Sequence, residues 1–157
     1  MTQNSEKPKD PMLDFPGYLL RRASIAALAE LNLRLAQLNL RHVESSLLLL
    51  IRANPGIRQG EVGNLLDIQR ANMVPLVAKL ESGKLITRKA IDGRSKGIWL
   101  TAAGRAMAKK ANAIVQSCEQ DLIERVPSEL RPVVQPILLA LWQGPVADWH
   151  AVAAGDS

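Results

Sequence analysis

Apolar residues recur at helical spacing along most of this 157-residue chain. The spacing predicts helices over residues 18–38, 40–53, 58–66, 70–80, 102–124 and 129–142. One region differs: between residues 85 and 100, β-forming residues return on both sides of a polar loop and predict two strands. The pattern therefore predicts a mostly α fold with a small β-wing.

The predicted helix over residues 70–80 is central to the pattern. Its apolar residues recur at spacings of three and four, which predicts one packed face made of Met73, Val74, Leu76, Val77 and Leu80. Arg70, Asn72 and Lys79 are predicted to face water. Gly83 follows the helix and is predicted to end it in a left-handed conformation. The helix would then pack by one side and offer the other to a partner.

The loop between the two predicted strands has the sequence Asp92-Gly93-Arg94-Ser95-Lys96. Asp-Gly permits the positive backbone angles of a tight hairpin, so the loop can project Arg94 and Lys96 as a basic finger. Asp92 is predicted to support the wing by holding Arg94 in place. The alternative for this loop is a solvated turn.

The helix before the central one, over residues 58–66, is predicted to direct Val62, Leu65 and Leu66 inward, and a turn at Asp67 and Ile68 follows it. Helix, tight turn, second helix and wing together predict a winged helix-turn-helix, a fold that binds DNA. We predict DNA contacts from eight residues: Arg58, Gln69, Arg70, Asn72, Lys79, Arg94, Ser95 and Lys96. For the helical residues, the alternative is the solvated side of a helix.

The flanking helices carry wide apolar stripes. Those over residues 18–38, 102–124 and 129–142 exceed what a winged lobe of about 60 residues can cover, so we predict that they pack against a second copy of the chain. Thr101 and Ser128 are predicted to cap the last two helices. Pro136 lacks an amide proton and is predicted to kink or break the final helix.

These elements divide the chain into five parts. A disordered tail over residues 1–12 precedes an N-terminal dimerisation helix at 13–39. The winged helix-turn-helix domain occupies residues 40–101, and C-terminal dimerisation helices occupy 102–145. A flexible tail is predicted for residues 146–157.

Basic residues are concentrated in the middle of the chain. The whole sequence has a net charge of +5, but residues 57–110 contain eleven basic and four acidic residues, a net charge of +7. A basic centre between slightly acidic ends is the electrostatic footprint expected of a protein that binds nucleic acid.

Enzymatic chemistry finds no support in the sequence. It has no glycine-rich phosphate loop, no nucleophile elbow and no Cys/His cluster with metal-ligand spacing, so we predict no catalytic site, no metal and no cofactor. Cys118 is the only cysteine and excludes an intramolecular disulfide. Without a signal peptide or an apolar run of spanning length, the chain is predicted to be cytoplasmic, with no membrane partner.

Five stretches carry recognisable motifs in residues 40–105. Residues 76–86 (LVAKLESGKLI), 92–96 (DGRSK) and 100–104 (LTAAG) are similar to L-V-x-x-L-E-x-x-G-L-I, D-x-R-S-K and L-T-x-x-G, and residues 40–51 and 58–66 add two helical patterns. Together they resemble the MarR family, the multiple antibiotic resistance regulators. Three positions depart from the family pattern: Asp67 stands where glycine is common, Gln69 where a capping serine is usual, and Pro75 where a polar or basic residue is frequent.

The resemblance implies a homodimeric transcriptional regulator. The first, fifth and sixth helices of two subunits would intertwine, and the dimer would repress transcription from a pseudo-palindromic operator in double-stranded DNA. A small ligand held between the dimer helices and the DNA-binding lobe would release it.

For that ligand we predict a small anion, an aromatic carboxylate or its thioester. The prediction rests on basic residues on or beside the first dimerisation helix: Arg21, Arg22, Arg34, Arg41 and His42. The alternative role for the arginines is to lie on a solvated helix face. For His42, the alternative is a surface position at the start of a helix.

A second function from a different class also fits the sequence. A winged-helix module can bind another protein through the same faces without contacting DNA. The basic wing favours DNA, and the salt dependence of binding to random duplex would discriminate the two functions.

Overall fold

The computed structural model describes residues 9–91, 93 and 95–143. Within them the helices are α1 (Pro16–Leu35), α2 (His42–Ala53), α3 (Gln59–Leu65), α4 (Arg70–Ser82), α5 (Ala102–Glu124) and α6 (Arg131–Gln143). The strands are β1 (Ile57–Arg58), β2 (Ile86–Ala90) and β3 (Lys96–Leu100). Of the described residues, those up to 118 belong to one compact unit and those from 119 to a second. The mostly α fold with a small β-wing is confirmed.

The strands form one antiparallel sheet in the order β1-β3-β2. β3 pairs with β2 along its whole length, from Ile86 opposite Leu100 to Ala90 opposite Lys96. The other edge of β3 pairs with β1, through Ile57 opposite Ile98 and Arg58 opposite Gly97. The sequence pattern predicted only two strands, because a strand of two residues is too short to show an alternation.

One hydrophobic core holds the unit up to residue 118 together. Its largest fully buried apolar side chains come from the end of α1, α2, α3, α4 and β3: Leu35, Leu47, Leu48, Ile51, Val62, Met73, Val77, Leu80 and Ile98. Leu65 was predicted to point inward, but it is 62% exposed. The short α3 buries Val62 instead, and Leu66, just beyond it, packs at the edge of the core.

The end of α4 differs in detail from the prediction. The left-handed residue is Lys84, with φ of 57°, whereas Gly83 has φ of −72°. The N–H of Leu85 donates to the carbonyl of Leu80 at 3.0 Å, a bond that satisfies one of the free carbonyls at the helix end. The left-handed position therefore falls one residue later than the glycine.

The last helix also differs. α6 begins at Arg131, two residues later than predicted, and the Ser128 hydroxyl hydrogen-bonds to the Glu129 carboxylate instead of capping a helix. The Arg131 guanidinium donates to the carbonyl of Val126 at 2.8 Å and fixes the turn before α6. The helix continues through Pro136, so the predicted break is wrong.

Both ends of the described chain bear on the predicted tails. Pro11–Asp14 form a 3-10 turn, capped by the Asp10 carboxylate, which begins within the last residues of the tail predicted to be disordered over 1–12. The predicted tail at 146–157 lies outside the described residues. Among the described helices, none has the length and apolar character needed to cross a bilayer.

The predicted cap of α5 is confirmed, since the N–H of Gly104 donates to the Thr101 hydroxyl at 2.9 Å.

Candidate nucleic-acid interface

A tight turn sets the position of α4 against α3. Asp67 has φ of 51°, the left-handed conformation that glycine adopts easily and that aspartate tolerates. The N–H of Ile68 then donates to the carbonyl of Gly63 at 2.8 Å. A Cβ on Gly63 would lie 3.0 Å from the Ile68 carbonyl oxygen, so the absence of a side chain permits this close approach. The predicted helix-turn-helix is therefore present.

α4 is fixed to the lobe by its inward side. Met73, Val77 and Leu80 are at most 2% exposed. Arg70 lies on the exposed surface, as predicted. Val74 was predicted for the packed face but is 55% exposed, because neighbouring residues point about 100° apart around a helix and Met73 occupies the inward direction.

The residues at the start of α4 remain available to a partner. Gln69 and Asn72 are exposed. The carbonyl of Gln69 accepts the N–H groups of Asn72 and Met73, and its side chain does not cap the helix. Both amide side chains are therefore exposed beside Arg70.

Lys79 has a partner inside the lobe. Its Nζ donates to Oε1 of Glu44 at 2.6 Å, and the Glu44 side chain is completely buried. The other carboxylate oxygen accepts the N–H of Arg41 at 2.9 Å. Burial alone would raise the pKa of Glu44, but the hydrogen bonds from Lys79 and the Arg41 backbone, with the charges of both residues, hold that pKa below its usual value. This pair joins the start of α2 to the middle of α4.

The base of the wing is packed against the turn that precedes β1. Gly56, with φ of 87°, faces the Trp99 ring so closely that a Cβ would lie 2.9 Å from it. Gly97 meets the same ring, where a Cβ would lie 2.7 Å away. Lys89 approaches the Trp99 ring at 5.9 Å from its centroid. Trp99 thus has a packing role at the base of the wing.

An ion pair connects the wing to α4. Arg88 on β2 pairs with Glu81 in the last turn of the helix. The hydrogen bond from Arg88 lowers the pKa of Glu81, against the smaller effect of burial. The pair and the Trp99 contacts make β2 and β3 a firm support for the loop between them.

Ser95, at the end of the wing loop, lies beside Arg58 at the start of α3. The N–H of Ile91 donates to the Ser95 carbonyl at 3.0 Å and closes the loop. Nη2 of Arg58 reaches the Ser95 hydroxyl at 3.5 Å, so two predicted DNA-binding residues are neighbours. Lys96 is exposed at the first position of β3. Asp92 and Arg94 lie outside the described residues.

The predicted effector residues have several different partners. The guanidinium carbons of Arg21 and Arg22 lie 5.4 and 5.9 Å from the centroid of the Tyr18 ring. Arg34 pairs with Glu30 and donates to the Ser117 hydroxyl of α5. Twelve residues of helix correspond to roughly 18 Å, so Arg22 and Arg34 lie too far apart to hold one small acid within a single chain.

The two remaining effector candidates lie near the start of α2. Arg41 is exposed. The backbone N–H of His42 donates to Oδ1 of Asn32 on α1 at 2.8 Å, and the His42 ring Nδ1 lies 3.1 Å from the same oxygen. His42 therefore contributes to the contact between α1 and α2. In the described part of the chain, no group of three His, Cys, Asp or Glu could hold a metal ion.

Two features of the interface gave no signal in the sequence. The pair of Glu44 and Lys79 joins residues 35 positions apart, and neither residue stands in a motif that indicates the other. The contact of Arg58 with Ser95 spans 37 positions. Only the packing of α2 against α4, and of the wing against α3, brings these residues together.

Curated relatives identify this architecture. The HTH-type transcriptional repressor Rv2887 of Mycobacterium tuberculosis is 31% identical over 112 residues, which cover 70% of this chain and 81% of that protein. The repressor Mb2911 of Mycobacterium bovis gives the same values. The solved structure of Rv2887 with salicylic acid, described as a MarR family protein, is 29% identical with a TM-score of 0.67, over 80% of this chain and 95% of that one. The chain belongs to the MarR family.

Other solved MarR-type repressors resemble the chain as closely in fold. The repressor CouR bound to a 23-mer DNA duplex has a TM-score of 0.80 and 31% identity, over 87% of this chain and 99% of that one. CouR from Rhodococcus jostii RHA1 bound to p-coumaroyl-CoA has a TM-score of 0.75 and 26% identity, over 85% and 95% of the two chains. No family model matches the chain. The prediction of a DNA-binding, ligand-responsive transcriptional repressor of the MarR family is confirmed.

Proposed function

We propose that this MarR-family repressor binds a pseudo-palindromic operator as a homodimer, reads it with α4 and the wing, and leaves it when an anionic aromatic ligand binds. One observation carries the DNA part of the proposal. α4 packs by Met73, Val77 and Leu80, while Arg70 and Asn72 remain exposed beside a wing whose Lys96 is also exposed. We also propose a cytoplasmic location for the protein, since its proposed partner is DNA.

The cations have different tasks in this proposal. Lys96, at the foot of the wing loop, contacts phosphates, and Arg94 at the tip enters the minor groove, where its planar guanidinium meets focused negative potential. Arg70 and Asn72 contact bases or phosphates from the start of α4. Lys79 is already paired with the buried Glu44, so we assign it to positioning the helix.

The wing is tested with a duplex selected from a random pool by the wild-type protein. Arg94→Ala should cost about 1–3 kcal/mol of binding free energy per half-site and flatten any preference for A·T beside the core site. Lys96→Ala should weaken all duplexes alike and reduce the salt slope by about 0.9 for each phosphate that is no longer neutralised. Lys110→Ala, an exposed cation on α5, serves as the control. A folded Arg94→Ala protein that binds like the wild type would contradict the role of the wing.

Dimerisation is supported by apolar surface that one chain leaves uncovered. α6 has no buried residue, and Leu141 and Trp142 are 65% and 75% exposed. On α1, Ile25 and Leu33 are 60% and 77% exposed. Burial of such residues across a twofold axis is how an isologous dimer gains stability.

The dimer proposal predicts that the C-terminal helix is indispensable. Deleting residues 128–157 removes α6 and should leave aggregated or unfolded chain, whereas the full chain should sediment as a dimer. Sedimentation and circular dichroism measure both outcomes. A soluble monomeric truncation that still binds operator tightly would contradict the proposal.

For the effector we propose an aromatic carboxylate or its thioester. The support is the basic set on and beside α1, together with relatives solved with salicylic acid and with p-coumaroyl-CoA. The roughly 18 Å between Arg22 and Arg34 favours the thioester, because a long ligand can reach both and a small acid only one.

The effector is tested by thermal shift with salicylate, p-coumaroyl-CoA and CoA alone. A ligand at 100 times its dissociation constant stabilises the folded protein by about 2.7 kcal/mol. Linkage requires DNA to weaken the ligand by the same factor as the ligand weakens DNA. A tight ligand whose affinity is identical with and without operator would contradict release by ligand.

A further inference from the structure

The exposed side of α4 carries a second apolar stripe. Ala71, Val74, Pro75 and Ala78 recur at positions i, i+3, i+4 and i+7, and all four are exposed. The packed stripe of Met73, Val77 and Leu80 lies on the other side of the helix. The sequence pattern suggested a single apolar face on α4. The structure has two, because a packed stripe and an exposed stripe lie on opposite sides of the helix.

The outward stripe has no side-chain donor or acceptor. Of the polar residues of α4, Arg70 and Asn72 lie at its start, and Lys79 lies on its flank, where Nζ is 2.6 Å from the buried Glu44 carboxylate. In the last turn, Glu81 pairs with Arg88, and the Ser82 hydroxyl donates to the Lys79 carbonyl. The side chains of the stripe are also small, so the helix backbone can approach a surface closely. Hydrogen-bond readout of bases is therefore confined to the first turn of the helix.

Charge indicates what covers this stripe. Exposed Arg70, Lys84 and Lys96 accompany it in a segment rich in basic residues, which complements a polyanion rather than an apolar protein groove. In the major groove of DNA, the apolar feature at a base edge is the 5-methyl group of thymine. The stripe and the methyl group are complementary in size and polarity.

We propose that Val74, with Ala71, Pro75 and Ala78 around it, reads thymine in each half-site through its 5-methyl group. The inference rests on DNA binding by α4 as proposed above and adds a specificity-determining residue to it. Val74 is the largest side chain of the stripe able to enclose a methyl group and is 55% exposed. The recognition helix thus selects a base without a hydrogen bond at that position.

The experiment replaces thymines of the selected duplex with deoxyuridine, one symmetric pair at a time. This substitution removes only the methyl group and keeps base pairing. At one thymine per half-site, the loss should weaken wild-type binding about fourfold for each buried methyl group, and therefore roughly 15-fold for the symmetric pair. Thymines outside the half-sites should show no effect.

Val74→Ala should abolish the penalty for deoxyuridine at that position, and Val74→Ile should retain it. Because Val74 is exposed, both variants should melt like the wild type. Sequence-specific binding that is indifferent to deoxyuridine at every position, or an equal penalty in Val74→Ala, would overturn the thymine assignment and leave DNA binding intact. Failure to select any duplex would overturn the proposed function and this inference with it.

Discussion

α1 and α2 are adjacent in sequence but differ in the fraction of their residues that is buried. α2 buries five of its 12 residues, including Leu47, Leu48 and Ile51, whereas α1 buries one of 20. Both helices are rich in leucine, so composition does not explain the difference. α2 completes a core within the chain, whereas α1 presents exposed apolar surface that would pack against a second chain in the proposed dimer. The contacts that stabilise the lobe therefore lie within one chain, while the stability of the flanking helices α1 and α6 should depend on association.

The largest expected effect contrasts two leucines. Leu47→Ala leaves a cavity in the core and should lower the free energy of unfolding by about 2–5 kcal/mol at any protein concentration. Leu33→Ala, at a position 77% exposed, should cost little at high protein concentration and more at low concentration, because it weakens association. Chemical denaturation at several protein concentrations measures both. If Leu33→Ala lowered the free energy of unfolding equally at all protein concentrations, the distinction between the lobe and the flanking helix α1 would be contradicted.

The next largest effect on stability is expected from a glycine that packs closely against the backbone. Gly104 packs against Leu85, the residue before β2, and a Cβ there would lie 1.8 Å from the Leu85 carbonyl oxygen. Gly104→Ala should therefore destabilise the lobe by about 1–3 kcal/mol or more. Gly60→Ala is the matched control, since its Cβ position is within 4 Å of no atom outside its chain neighbours and its own helix backbone, and it should be neutral or stabilising. Thermal melts compare the two, and equal melting temperatures would contradict this packing.

The two glutamates that pair with cations sharpen the comparison between buried and exposed contacts. Glu44→Gln should cost about 1–3 kcal/mol, because it removes a charged acceptor from a completely buried site. Glu81→Gln, whose pair with Arg88 is partly exposed, should cost about 0–1 kcal/mol. Urea denaturation of both variants at neutral pH tests this order.

The pH dependence follows from the lowered pKa of Glu44. A carboxylate whose folded pKa is lower than its unfolded pKa stabilises the protein at pH values above about 4.3 and loses that contribution as pH falls through the folded pKa. The difference between wild type and Glu44→Gln should therefore shrink on acidification below about pH 4. A difference that is unchanged in acid would contradict the charged pairing with Lys79.

The sequence predicts a helix and its packed face well when a single apolar periodicity dominates that helix. α5 and its Thr101 cap were predicted because a single apolar stripe and one hydroxyl define them. α4 was placed correctly, but Val74 was assigned to the wrong side because two apolar stripes overlap in the same pattern. The partner of Lys79 could not be predicted, since Glu44 meets it only through tertiary packing.

The most direct test of the central claim is the salt dependence of DNA binding by the wild-type protein. The selected duplex and a random duplex of equal length are titrated at several salt concentrations. We expect tighter binding to the selected duplex and a steep loss of affinity with salt for both duplexes, with a slope of about −0.9 per phosphate neutralised. An absence of binding to either duplex at low salt would contradict this expectation and would favour a winged-helix module that binds protein instead.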